Sequence, residues 1–224
     1  MIIKEEDGKA AIYYDGQLFS NWGVCSAAWG VDQTRVKVEN LSDGYIADIE
    51  ISTGELINYS YGRIDNLGVN GGTVENHNCG IIGTVHQIGG TFDNIATRSS
   101  ICPDSGVENY NLANGLLKND TVGHIETMLM TGGTFENNGN VKTMLMNHGT
   151  LNNDTGGDIE VLTMTGGTLN NGIPETAGGC IKVLCMNGGT LDNADGYIET
   201  LYYSGGTIVD EGYIDEIIYV DAAE

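Results

Sequence analysis

The residues of this chain that could do chemistry are mainly acids, and several recur at one position of a sequence repeat. That position carries alternating charges, in Glu126, Lys142, Glu160, Lys182 and Glu199. Glycoside hydrolysis needs two carboxyl groups about 5–10 Å apart, which stacked strands can provide. Alternating charges are, however, typical of an exposed ladder in which opposite charges pair on neighbouring strands. We therefore interpret this set as structural rather than catalytic.

The other reactive side chains form no recognisable constellation. The four histidines fall at four different repeat positions, and the arginines fall at unrelated ones. No nucleophile motif, phosphate-binding loop or zinc spacing is present. The five cysteines are odd in number and lack the spacing of a disulfide framework. We predict mostly free thiols, with no bond between Cys180 and Cys185.

Calcium remains an open alternative, although no cofactor is predicted. Acids cluster near one corner of the late repeats, at Asp192, Asp195, Asp210 and Glu211, and earlier at Asp154 and Asp158. Ca²⁺ takes six to eight oxygen ligands, which such loops can supply. The nonapeptide repeat of calcium-binding β-helices is absent.

A fifteen-residue block that recurs nine times must position all these residues. We number each copy from its leading Ile or Val, position 0, which gives Ile46, Ile64, Ile82, Val107, Ile125, Val141, Ile159, Ile181 and Ile198, with a truncated tenth copy from Ile214. Position 8 is always Gly, position 10 is always apolar, and position 12 is Asn in eight copies and Asp210 in the ninth. Such a fixed period predicts a stacked repeat architecture.

The columns predict two short strands and a bend in each copy. Positions 3 and 5 are mostly apolar, and a spacing of two places them on one face of a strand, with positions 0 and 10 also inward. The Gly at position 8 marks a corner that needs positive φ or close backbone approach. The Asn column is expected to form an internal or corner ladder. We predict a single-stranded right-handed parallel β-helix of about ten coils.

Two repeat families have similar patterns. The spacing of positions 0, 3, 5, 8 and 10 resembles a leucine-rich repeat, but several coils here recur after only 16 to 18 residues, which leaves no room for a helix. The Gly-Gly-Thr-apolar-x-Asn run resembles the repeats of bacterial adhesins and autotransporter passenger domains over roughly residues 44–220. That resemblance implies a parallel β-helix.

Residues 1–43 are predicted to form an N-terminal cap, and residues 44–224 the β-helix. Within Ala11–Phe19, Asp15-Gly16 separates two apolar runs, which indicates a β-hairpin. We expect Trp22 and Trp29 to cover the first coil, with a sugar-stacking platform as the alternative. The longest insertions, Ile95–Asp104 and Gly172–Gly178, follow the Asn column, where binding surfaces often form.

Composition limits the partners and the compartment. The net charge is −22 with only nine Lys plus Arg, which excludes nucleic acid as a partner. No stretch approaches a transmembrane span, so no membrane insertion is expected. The first residues lack a signal-peptide core. The resemblance to adhesins favours an extracellular or cell-surface location, with a phage particle or the cytoplasm as alternatives.

Two outward-facing columns of the repeat, at positions 9 and 4, are further candidate binding surfaces. Thr recurs at position 9, but position 11 lacks the second Thr column expected of ice-binding solenoids. Position 4, which should face outward, is apolar in the C-terminal coils, at Leu129, Leu145, Tyr202 and Ile218. An apolar outer stripe predicts self-association or a protein partner, unless an insertion or the N-terminal segment folds over it.

We expect a non-catalytic structural or adhesive surface module, from a bacterium or a phage particle. The alternative is a carbohydrate-active enzyme or glycan-binding domain that uses carboxylates near the two long corner loops. Its candidate binding residues are Trp22, Trp29, Arg98, Asp104 and Glu175. The test between them is whether an acid pair shares a cleft flanked by aromatic side chains.

Overall fold

The structure is a computed structural model, and it describes residues 2–6, 9–14, 37–41, 43–95, 102, 105–172 and 178–221. Its elements are all strands. In chain order they are β1 Ile2–Glu6, β2 Lys9–Tyr14, β3 Lys37–Asn40, β4 Tyr45–Ile51, β5 Glu55–Asn58, β6 Arg63–Val69, β7 Thr73–Asn76, β8 Ile81–Gln87, β9 Thr91–Asn94, β10 Gly106–Leu112, β11 Leu116–Asn119, β12 His124–Met130, β13 Thr134–Asn137, β14 Asn140–Met146, β15 Thr150–Asn153, β16 Asp158–Met164, β17 Thr168–Asn171, β18 Cys180–Met186, β19 Thr190–Asp192, β20 Tyr197–Tyr203, β21 Thr207–Asp210 and β22 Tyr213–Tyr219.

These strands form two stacked sheets, which confirms the β-solenoid. The even-numbered strands from β4 to β22 make a ten-stranded parallel sheet of seven-residue strands, called here the long-strand sheet. The second sheet, the short-strand sheet, contains the odd-numbered strands from β3 to β21, extended by β2 and β1. Each repeat copy contributes one strand to each sheet, so β4 to β21 make nine coils before β22. The predicted right-handedness stays a prediction.

The predicted inward positions form the core. In the coil that begins at Ile125, positions 0, 3, 5 and 10 are Ile125, Met128, Met130 and Phe135, and each is at most 1% exposed. Strict alternation would place only one of positions 0 and 3 inward. The strand register skips position 1, so Glu126 and Thr127 both face outward between the buried Ile125 and Met128. This local irregularity gives each long strand its extra inward residue.

The glycine at position 8 makes the corner between the two strands, as predicted. Its φ is positive in all nine copies, from 69° in Gly90 to 113° in Gly206. A Cβ on Gly167 would lie 2.6 Å from Met146 Cε of the preceding coil and 2.7 Å from Gly149 O. Only glycine suits this corner, because both the backbone angle and the packed neighbour exclude a side chain.

The asparagines at position 12 form the predicted internal ladder. In the first eight, Nδ2 donates to Oδ1 of the next coil's asparagine at 2.7–3.0 Å, and the last, Asn193, donates to Glu211 O at 2.6 Å. Each side chain is at most 1% exposed. The ladder comprises Asn40, Asn58, Asn76, Asn94, Asn119, Asn137, Asn153, Asn171 and Asn193. Asn40 belongs to β3, which pairs in parallel with β5, so the ladder begins earlier than the repeat copies indicate.

Near the N-terminus, β1 and β2 pair antiparallel as a hairpin, with Glu6 opposite Lys9. β2 then pairs in parallel with β3, which places this hairpin at the end of the short-strand sheet. The predicted hairpin turn at Asp15-Gly16 lies outside the described residues, as do Trp22 and Trp29. The domain boundary after residue 43 stays a prediction.

One cysteine prediction was wrong. Cys79 and Cys102 form a disulfide, with Cα atoms 5.3 Å apart, although the sequence indicated mostly free thiols. Stacking brings the two together, because Cys79 lies at a coil corner with φ of 58° and Cys102 lies in the insertion that follows the next coil. Cys180 and Cys185 are not bonded, as predicted.

Candidate functional site

A shallow groove of about 890 Å³ runs across the outer face of β12, β14, β16, β18 and β20. Its walls are side chains from the positions on either side of position 0, which is itself inward. Val141 and Ile159, both at position 0, are buried and lie along its floor. Positions −1 and 1 point outward on either side of the inward position 0, which gives the groove its two walls. It contains the charged column, defined here as Glu126, Lys142, Glu160, Lys182 and Glu199.

One end of the groove brings together three polar side chains. Lys142 Nζ donates to Glu126 Oε1, and His124 Nε2 lies 3.1 Å from Glu126 Oε2. The hydrogen bond from Lys142, with that from His124, lowers the pKa of Glu126 to about 2. Glu126 is thus ionised across the physiological range, whereas a general acid needs a raised pKa. The contact with Lys142 agrees with the predicted ladder of opposite charges.

Sequence reasoning missed the contact between His124 and Glu126, because it compared histidines only with the same column of other copies. These residues are at positions −1 and 1 of one strand. Both side chains stand on the outer face beside the inward Ile125. A His-x-Glu triplet around position 0 was the available signal.

Cys180 is a thiol in the groove, and it is half-buried beside Asp158 of the neighbouring strand. Burial, followed by the negative charges of Asp158 and Glu199, raises the pKa of the Cys180 thiol. The thiol is therefore protonated at neutral pH, and a protonated thiol is a weak nucleophile. Three coils separate Cys180 from His124, about 14 Å along the stack, so the two cannot act as a Cys–His pair.

Acids of the N-terminal coils are held by neighbours on the outer face. Tyr45 Oη donates to Asp65, and Arg63 Nε donates to the same carboxylate at 2.8 Å. The hydrogen bond from Tyr45, followed by that from Arg63, lowers the pKa of Asp65. Asp48 accepts from Asn66 Nδ2 at 2.8 Å. The contacts of Tyr45 with Asp65 and of Asn66 with Asp48 link adjacent coils, and each of these acids is in a structural pair.

The predicted glycan-binding residues cannot be placed. Trp22, Trp29, Arg98, Asp104 and Glu175 all lie outside the described residues. The insertion that contains Arg98 and Asp104 is nevertheless attached at Cys102, through the disulfide to Cys79. Beside it, Ser105 Oγ donates to Cys102 O at 3.0 Å. The end of this loop is therefore fixed against the corner of the preceding coil.

The groove does not match the cleft that a glycan-acting enzyme would be expected to show. None of the residues that line it is Trp, Tyr or Phe. Across the described parts of the chain, no group of three or more His, Cys, Asp or Glu side chains is placed to hold a metal ion. The calcium alternative at the late corners therefore gains no support.

The apolar column at position 4 is a second candidate surface. It continues without a gap over the last six coils, through Leu129, Leu145, Thr163, Cys185, Tyr202 and Ile218, called here the outer stripe. Leu145 and Tyr202 are each 38% exposed, and the other four are half-buried or less exposed. In the N-terminal coils the same column is Glu50, Gly68, His86 and Asn111.

Comparison with known proteins adds no relative. No protein-family model, curated protein or solved structure matches the chain. Among the residues that the structure describes, none belongs to a helix long and apolar enough to cross a membrane. The chain is therefore classified by its own geometry, as a parallel β-solenoid of two sheets.

Proposed function

We propose that this chain is a non-catalytic structural or adhesive module that works as a stiff rod at a cell surface or outside the cell. The observation that carries the proposal is that most of the recurring positions of the repeat have a structural role. Positions 0, 3, 5 and 10 are filled by the core, position 8 by the corner and position 12 by the Asn ladder. The repeat leaves repetitive outer faces, which suit contact over a length rather than chemistry at a point.

Two further observations support a role without catalysis. The lowered pKa of Glu126 suits a charge ladder and not a general acid. Nine coils at about 4.8 Å each give a rod on the order of 45 Å long, and each coil is tied to the next by two sheets and the Asn ladder. Such a rod resists bending and holds its outer faces at a constant spacing.

The disulfide supports the proposed location. Disulfides persist in oxidising compartments and are rare in reducing ones. Cys79 and Cys102 are bonded in the structure, while the exposed face carries an excess of acids that keeps the rod soluble. The resemblance to adhesin and autotransporter repeats supports the same location, with a phage particle as the other setting in which such rods occur.

The alternative is a carbohydrate-active or glycan-binding β-helix. Glu126 and Glu160 are two coils apart, about 9.6 Å, which is near the carboxyl separation of inverting glycosidases. Lys142 stands between them and pairs with Glu126. This alternative therefore depends on the two corner loops rather than on the groove.

A glycan array combined with a reducing-sugar assay tests the proposal. We expect no sugar release from acidic or neutral polysaccharides by the wild type. As a matched pair, Glu160→Gln and Asn152→Gln should leave any array signal unchanged, because neither the groove nor the short-strand face is expected to bind sugar. Sugar release by the wild type that is lost in Glu160→Gln would replace the structural reading with the enzymatic one.

A further inference from the structure

The outer stripe has a centre, which lies between β16 and β18. Three of its members stand on one side, Leu129, Leu145 and Thr163, and three on the other, Cys185, Tyr202 and Ile218. The two outward valines at position 2, Val161 and Val183, are Cα partners across this same gap. The most apolar part of the long-strand face is therefore arranged on both sides of one line that runs parallel to the strands.

A two-fold axis along that line would place the stripe of one copy on the stripe of a second. Thr163 would face Cys185, Leu145 would face Tyr202, and Leu129 would face Ile218. Val161 would face Val183. Every apolar member then meets a member of the same column, as a self-complementary interface requires. A two-fold axis along the solenoid and over position 4 would instead place each member on its own copy and leave the charged column outside the pairing.

The charged column agrees with this centre, because its alternating charges favour an axis between neighbouring strands over an axis on a strand. With the axis between β16 and β18, Glu160 faces Lys182 of the second copy, and Lys142 faces its Glu199. With the axis on β16, Glu160 would face Glu160, Lys142 would face Lys182, and Glu126 would face Glu199, so every pair would repel. One like-charged pair remains at the proposed centre, Glu126 with Asp215. Lys142 contacts Glu126 and offsets its charge, and His124 also contacts that carboxylate.

We propose that the long-strand face of the C-terminal six coils binds a second copy of this chain, antiparallel and centred between β16 and β18. The proposal does not rest on the adhesive role. Six strands at about 4.8 Å and about 20 Å of strand give roughly 600 Å² per copy. That total of roughly 1,200 Å² is at the small end of specific interfaces, so the dimer should be weak and reversible.

Site-directed cross-linking tests the register. In a background with Cys25, Cys180 and Cys185 changed to Ser, Leu145→Cys and Tyr202→Cys are introduced together and treated with a short bis-maleimide that spans the about 10 Å between packed sheets. We expect a covalent dimer from the double variant. Each single variant should stay monomeric, because its thiol would lie three coils from its own copy on the partner. The pair Leu145→Cys and Ile218→Cys, which an axis on β18 would bring together, should react far less.

Sedimentation equilibrium at about 0.15 M salt, where the Debye length is about 8 Å and net repulsion is screened, measures the association itself. Leu145→Glu should raise the dimer dissociation constant at least about tenfold. His86→Glu, in the same column of the N-terminal coils, should leave it unchanged. Lys142→Glu and Glu199→Lys should each weaken the dimer, and their combination should restore it. Circular dichroism confirms that each variant is folded.

Two results would overturn the proposal. One is a wild type that sediments as a monomer at its highest soluble concentration. The other is equal cross-linking by the single variants, the Leu145→Cys/Tyr202→Cys pair and the Leu145→Cys/Ile218→Cys pair, since that would show collisions without a preferred register. Neither result bears on the proposed function, which sugar release alone contradicts.

Discussion

The Asn ladder and the charged column each repeat one side chain per coil at the same spacing. The ladder lies inside the solenoid on the short-strand sheet, whereas the charged column lies on the outer face of the long-strand sheet. The ladder is buried and uses one residue type throughout. The charged column is partly exposed and alternates Glu with Lys. A buried polar column can be uniform only if each member is neutral and both donates and accepts, as a primary amide does. Outside, water screens the charges, and alternation prevents like charges from stacking.

The two columns also differ in the free energy of unfolding that is lost when one contact is broken. A broken link in the ladder leaves a polar atom without water or partner, and that costs about 1–3 kcal/mol per group. A broken link in the charged column leaves both groups hydrated, and exposed pairs contribute about 0–1 kcal/mol. The comparison therefore makes a graded set of predictions, from the interior outward.

The largest expected effect is a charge placed in the ladder. Asn137→Asp would keep an acceptor for Asn119 Nδ2 but lose the donor that serves Asn153 Oδ1 at 2.7 Å. A buried, incompletely paired carboxylate should reduce the free energy of unfolding at pH 7 by about 3–5 kcal/mol. Urea denaturation measures this. Asn152→Asp, on the outer face of the next coil one residue before the ladder residue Asn153, is the matched control and should cost less than about 0.5 kcal/mol.

Equal midpoints for Asn137→Asp and Asn152→Asp would break the comparison, because they would show that the buried column tolerates charge as well as the surface does.

The corner beside the ladder is the second test. Cys79 follows the ladder residue Asn76 by three positions, and its disulfide closes a loop with a sequence separation of 23. Cys79→Ser should lower the free energy of unfolding by about 3 kcal/mol, because the unfolded chain gains freedom. Thermal unfolding with and without reductant measures this. Cys180→Ser removes a thiol that is not bonded and should have little effect; a loss as large as that of Cys79→Ser would contradict the assignment.

A polar pair in the core provides a further test of how much a buried hydrogen bond contributes to stability. Gln87 occupies position 5, which is otherwise apolar or aromatic, and Tyr110 Oη of the next coil donates to Gln87 Oε1. Both side chains are at most 1% exposed. Tyr110→Phe should cost about 1–3 kcal/mol, because Oε1 loses its donor inside the core.

The double variant Gln87→Met with Tyr110→Phe provides the control, since Met occupies position 5 in several other copies. It should be more stable than Tyr110→Phe alone. Denaturant unfolding of the two single variants and the double gives the coupling. Additive losses would mean that the two groups do not act as a pair.

The smallest effect is expected in the charged column. The pKa of Glu126 is lowered to about 2, so its pairing stabilises the fold above the ordinary pKa near 4.5 and is lost as pH falls through 2. Lys142→Gln should therefore cost about 0.2–1 kcal/mol at pH 7 and nothing near pH 2. Unfolding measured from pH 7 to pH 2 checks this. A cost that persists at pH 2 would show that Lys142 acts through packing instead.

Much of the fold was predictable because the same residue types occur at the same positions in many copies of the repeat. The glycine corner, the inward positions and the Asn ladder each appear in nearly every copy, so chance similarity in one copy does not mislead. The contacts that were missed occur once. Cys79 with Cys102, Gln87 with Tyr110, and His124 with Glu126 all depend on which unlike positions meet, and no column repeats them.

The candidate sites likewise include one that the repeat pattern predicted and one that it did not. The outer stripe was predicted because position 4 should face outward, and its members are found on that face. The groove was not predicted, because residues of five strands form it together and no single repeat copy contains it. The corner-loop residues Arg98, Asp104 and Glu175 lie outside the described residues and stay predictions.

The sequence by itself determined the coil, because a period of two within strands, a glycine at each corner and one amide per turn permit few other folds. It also determined the strong acidity, from which we predict that nucleic acid is not a partner. Only the tertiary structure decided which single residues meet across coils, where the disulfide forms and where the groove lies. These contacts depend on how the coils stack in register although the insertions between them differ in length. A repeat constrains what is common to its copies, and the differences between copies acquire meaning only when stacking makes them neighbours.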